Sequence, residues 1–134
     1  MPLIDLPDLN QNFEPSPVPE GSYDLRIANC EAKDSKAGKP MYQMMMIVED
    51  NEYPNAQPIN FFLSIPQPND DQKTMQFKMQ NIKRFLTAFD IPFEASGFND
   101  EDVVGATARQ ISVTQTEPTE EGLVYNEMHL PRVK

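Results

Sequence analysis

Apolar residues recur at every second position in five short segments of this chain and at every third or fourth position in one longer segment. That change of period limits the fold more than any composition figure. In residues 22–33, Tyr23, Leu25 and Ile27 share one face while Asp24 and Arg26 point the other way, the pattern of a half-buried strand. The alternation blurs at Asn29-Cys30, where Ala32 falls out of step with Ile27, so a bulge or bend is expected there. Residues 41–49 place Tyr42, Met44, Met46 and Val48 on one face, and residues 59–65 place Ile59, Phe61, Leu63 and Ile65 opposite Asn60, Phe62 and Ser64. Residues 107–115 form a fourth strand with Arg109, Ile111 and Val113 facing one way. Residues 123–130 form a fifth, with Val124, Asn126, Met128 and Leu130 opposite Tyr125, Glu127 and His129. Between the third and fourth strands, Met75, Met79, Ile82, Leu86 and Phe89 step by fours and threes, one stripe of an amphipathic helix. Pro66 and Pro68 break the strand before it, Asn69, Asp70 and Asp71 are helix-start residues, and Pro92 stops it by Asp90.

The connectors agree with this division. Residues 34–40 are a polar link in which Gly38 permits positive φ, residues 50–58 and 118–122 read as turns, and residues 100–105 as one short helical turn. The order strand, strand, strand, helix, strand, strand is that of the OB-fold, a partly open five-stranded Greek-key barrel. The expected class is all-β with one helix. An open antiparallel sheet with one helix packed on it shares the order. Residues 1–20 form a proline-rich N-terminal arm ahead of a domain at 21–134. Five prolines there oppose helix and central strand alike, yet Leu3, Ile4, Leu6, Leu9 and Phe13 are apolar. Such an arm is expected to dock, onto the barrel or across a subunit boundary in a homodimer.

At 134 residues the chain is one domain's worth. Its longest apolar run, Met44 to Val48, is far below the ~18 residues of a membrane helix, and no signal peptide is visible. The single cysteine, Cys30, excludes an intramolecular disulfide and a Cys-based zinc cluster, and the single histidine, His129, excludes a multi-His metal site. A cytoplasmic protein without a membrane partner is the expectation. The net charge of −10 opposes indiscriminate coating of nucleic acid. The bases are nevertheless grouped: Lys33, Lys36 and Lys39 around the first connector, and Lys73, Lys78, Lys83 and Arg84 in an acid-free stretch on the helix. The helical group reads first as a solvated outer face and second as an auxiliary binding surface.

No catalytic constellation is present. His129 has no Gly-x-Ser-x-Gly partner motif, the five glycines form no phosphate loop, and Cys30 reads as a small apolar residue. The acid groups Glu49-Asp50-Glu52, Asp70-Asp71 and Asp100-Glu101-Asp102 fall where turns and helix starts call for acids, and none has the Ca²⁺-loop spacing. Neither a metal nor another cofactor is expected, and the chain is read as a non-enzyme.

Single-strand binders need cations that track phosphates and aromatic faces on which bases stack. Lys33, Lys36 and Lys39 supply cations in or beside the first connector, and Arg26 lies on the outward face of the first strand. Phe62 is a large aromatic on an otherwise polar face, and Tyr125 shares the polar face of the fifth strand. Tyr42 and Arg109 complete the candidate set, although the register of Tyr42 groups it with Met44 and Met46.

Three stretches also carry a resemblance: Glu20-Gly21-Ser22-Tyr23, then residues 31–41 with Ser35-Lys36-Ala37-Gly38, then residues 48–53 with Asn51-Glu52-Tyr53. Together they resemble a family of small phage and prophage proteins that look like single-stranded DNA-binding OB-fold proteins. That pattern has a Gly-x-Tyr strand start, a Ser-Lys-x-Gly loop, a Gly-Glu-Tyr-like turn, a helix and a final Asn-containing strand. Asp50-Asn51 stands where the family often has Gly. The resemblance covers roughly residues 20–130. It implies binding of single-stranded DNA in phage replication or recombination, with the proteins of those processes as further partners. The expectation is thus a sequence-nonspecific single-stranded DNA-binding protein. The rival is a protein-interaction module with the same fold and no nucleic acid.

Overall fold

The computed structural model describes residues 4–6, 8, 10 and 14–132. Its seven strands are β1 (Gly21–Asp34), β2 (Pro40–Val48), β3 (Ile59–Ser64), β4 (Phe93–Glu94), β5 (Gly97–Phe98), β6 (Thr107–Gln115) and β7 (Asn126–His129). One helix, α1 (Gln72–Ala88), lies between β3 and β4, and a 3₁₀ turn spans Asp100–Asp102. Five strands form one antiparallel sheet in the order β3-β2-β1-β6-β7. Four antiparallel steps leave β3 and β7 running parallel at the two edges, and these edges come together without a hydrogen-bonded ladder. The result is a nearly closed five-stranded barrel of OB type with an open seam between β3 and β7. Among the described residues no helix is long and apolar enough to cross a membrane.

Period-two patterning builds the core. Leu25, Ile27, Met44, Met46, Ile59 and Leu63 are buried inside the barrel, α1 adds Phe85 and Leu86, and Phe89, which caps its C-terminal end, joins them. Phe85 stacks on Phe61 with ring centroids 5.8 Å apart and sits 5.2 Å from Phe89. The break at Asn29-Cys30 is a bulge: the β1–β2 register shifts between Ile27 and Asn29, and Cys30 and Ala32 then pair with the core-side residues Met44 and Tyr42. Burial, and next the charge of Asp100, pushes the Cys30 thiol up, away from the reactive thiolate.

Two readings are corrected. Arg109 does not share a face with Ile111 and Val113. The β1–β6 register shifts between Tyr23 and Leu25, so Ala108 takes the buried position and Arg109 is exposed. Gln110 makes this possible with a φ of 54°, held where its N–H donates to Asp24 Oδ1 at 3.0 Å. In α1 the buried arc runs through Lys78, Phe85, Leu86 and Phe89, whereas Met79 is 50% exposed. Asp71 caps the helix, its side chain accepting from the Thr74 N–H at 2.7 Å. Lys78 is tolerated in the buried arc because its Nζ meets Asp70 Oδ2 at 2.8 Å. That contact, with the Gln67 N–H, holds the Asp70 carboxyl below the usual range.

The end of the arm is fixed to the barrel. Ser16 bridges Ala56 in the β2–β3 loop, and Val18 is buried. Asn126 grips Val18 twice: its Oδ1 accepts from the Val18 N–H at 2.8 Å, and its Nδ2 donates to the Val18 carbonyl at 3.0 Å. Gln115 Nε2 donates to the same carbonyl at 2.9 Å, and the Tyr23 hydroxyl to the Pro19 carbonyl at 2.6 Å. Farther out, Ile4 and Leu6 are exposed, and Leu3, Leu9 and Phe13 lie outside the described residues. The fifth strand is shorter than expected, beginning at Asn126 rather than 123, but the two faces alternate as expected.

Candidate nucleic-acid interface

The outer surface of β1, β2 and β3 is built in rows fixed by register. Lys33, Met41 and Ser64 form one row, Glu31, Gln43 and Phe62 the next, and Asn29, Met45 and Asn60 a third. Phe62 is 51% exposed at the outer edge of this surface. Lys33 Nζ donates to Gln43 Oε1 at 2.7 Å, tying the first row to the second. Beyond the rows, β1 and β2 continue as a hairpin that turns at residues 35–39. Within the turn the Ser35 N–H donates to the Lys39 carbonyl at 2.8 Å and the Gly38 N–H to the Ser35 carbonyl at 2.9 Å. Gly38 sits at φ 78°, a conformation that glycine adopts without strain. Lys36 and Lys39 are presented in solvent on this braced tip, and the charge of Lys39 reaches Asp70 at the start of α1.

The seam between β3 and β7 opens into a cleft of about 420 Å³, with α1 along its side. Phe61, Phe62 and Leu63 line it from β3, Met128 and His129 from β7, and Phe77, Lys78, Asn81 and Arg84 from α1. Phe62 thus shares a wall with Phe77, which is 63% exposed, and with a guanidinium. On β7, His129 Nε2 lies 2.7 Å from Thr114 Oγ1.

The eight sequence candidates are divided by the fold. Lys33, Lys36, Lys39 and Phe62 fall on the hairpin and the outer sheet surface. Tyr42 is paired with Ala32 and Leu63 and packs, partly buried, against the core, so it does not stand free on the outer surface. Arg26 is on the outer side but forms an ion pair with Glu49, both side chains being partly exposed. Arg109 projects from the β6 bulge. Tyr125 is 47% exposed at the opposite end of the barrel from the hairpin tip, because β6 and β7 join at the end where β1 begins. Phe77 and Arg84 are the additions. Their sequence signal was the acid-free basic stretch with an aromatic between Lys73 and Lys78, read first as a solvated face. Two of the three acid groups have local partners: Asp70 and Asp71 are bonded at the helix start, Glu49 pairs with Arg26, and Asp50 Oδ1 accepts from the Glu52 N–H at 2.9 Å, while Asp100, Glu101 and Asp102 form the 3₁₀ turn.

No curated protein matches the chain. A family described as "Protein of unknown function (DUF669)" matches residues 7–131, nearly the full length. That match takes in the arm end, the whole barrel and the helix, and the chain accordingly belongs to the DUF669 family.

Proposed function

We propose that this protein binds single-stranded DNA without sequence preference, along the outer surface of β1–β3 and into the seam cleft. The observation that carries the reading is the pairing of two exposed aromatic rings, Phe62 and Phe77, with Arg84 in one cleft on a chain that is otherwise strongly acidic. Aromatic rings take any base by stacking, and cations beside them take the intervening phosphates. Lys36 and Lys39 extend the basic path from the braced hairpin tip. The acidic remainder of the surface repels a polyanion and so confines it to this side. The setting implied by the resemblance, phage replication or recombination in the host cytoplasm, is proposed on the same footing.

Phe62→Ala tests the site. The ring is half exposed and outside the core, so its removal is expected to cost ~1–3 kcal/mol of oligo-dT binding and to leave the melting temperature nearly unchanged. A large drop in melting temperature with binding intact would show that the ring is a packing residue instead.

A further inference from the structure

A second groove lies on the other side of α1, between the helix and the small β4–β5 hairpin. With a volume of about 1420 Å³ it is an open groove running along the helix rather than an enclosed pocket. Lys73, Lys83, Arg84 and Arg132 line it, against a single acid, Glu94. Four of the chain's 11 basic residues therefore meet in one groove of a protein carrying 21 acids. None of the four is in an ion pair among the described residues. Between them stand Phe77, 63% exposed, Met79, 50% exposed, and Phe93, 46% exposed. Folding alone gives no reason to leave these three side chains in water.

Two features select the occupant. The charge is complementary to a polyanion, and the interleaved rings suit bases. The groove also continues the seam cleft, because Phe77 and Arg84 line both. An acidic peptide would meet the same cations but would not account for that continuity. We infer that single-stranded DNA leaving the seam cleft crosses α1 and occupies the groove between α1 and the β4–β5 hairpin, so that the helix is a binding element and not only a plug for the barrel. The inference rests on the proposed function and lengthens its path.

The test compares wild type with Lys73→Ala/Lys83→Ala and with Phe93→Ala, all solvent-exposed positions, in titrations with an oligo-dT of about 20 nucleotides, longer than the ~4–16 nucleotides of one OB-fold site. In the double variant the salt slope should shrink by about 0.7 for each lost phosphate contact. Phe93→Ala should weaken binding by roughly 5- to 150-fold, the loss of one stacked base. Both should occlude fewer nucleotides per protein, with melting temperatures like wild type. Wild type that binds while both variants keep its slope, affinity and site size would overturn the groove path and leave the seam site standing. An acidic peptide that binds wild type and not the double variant, with oligo-dT binding unchanged, would overturn it in favour of a protein partner. Wild type that binds no oligo-dT would overturn the proposed function and this inference together.

Discussion

Asn126 bonds both backbone groups of Val18 at a point where neither reaches water. An apolar replacement of the same shape, Asn126→Leu, removes both bonds. The Val18 carbonyl keeps Gln115, but its N–H is left buried without an acceptor. The expected cost is about 1–3 kcal/mol, read as a lower urea midpoint with an unchanged slope. Unaltered stability would mean that the arm end leaves the barrel easily. Asp70 makes a second prediction, about pH. Its carboxyl is held low chiefly by the Lys78 ammonium, so its stabilisation is fully present above the ordinary carboxyl value of ~3.9 and is lost as pH falls through the lower folded value. Asp70→Asn should be less stable than wild type at neutral pH, and the difference should narrow as acid protonates the wild-type group. A difference that stays constant from neutral to acid pH would contradict that account. The candidate residues themselves were unevenly legible. Phe62 stood out because a large ring on a polar face breaks the alternation. The pairing of Arg26 on β1 with Glu49, just past the end of β2, depends on a register that the sequence does not display.

Among the elements, the β1–β2 hairpin was readable and the phase of the helix was not. Alternation located β1, β2, β3 and β6, and the mismatch at Ala32 exposed the bulge. Period alone places α1 but leaves the edges of its buried arc open. Met79 and Phe85 stand at its two edges, and packing against Phe61 and Phe89 draws Phe85 into the arc while Met79 stays half exposed. The β6 bulge was hidden because Gln110 takes positive φ without a glycine to announce it. The β4–β5 hairpin was hidden because two-residue strands are too short to alternate. For the hairpin tip, Lys36→Ala/Lys39→Ala should weaken oligo-dT binding and lower the salt slope by about 0.7 per lost phosphate contact, with folding unaffected because the turn is held by its backbone and Ser35. An unchanged slope would remove the tip from the path.

At the scale of the whole molecule, the barrel order was legible because five alternating strands and one helix in this sequence have few ways to close. The site was less so, since the cleft joins β3, α1 and β7, residues that only the closed fold brings together. The acidic total and the basic path coexist because the cations are gathered around α1 and the hairpin tip. Ile4 and Leu6 are exposed on the arm, so the docking that the sequence leads one to expect of these apolar residues is not made within the single chain. The central claim is tested most directly by titrating the purified chain with fluorescent oligo-dT at low and at high salt. Saturable binding at low salt is expected, weakening with log salt by about 0.7 per phosphate contact. An oligomer that remains unbound at low salt would contradict the claim.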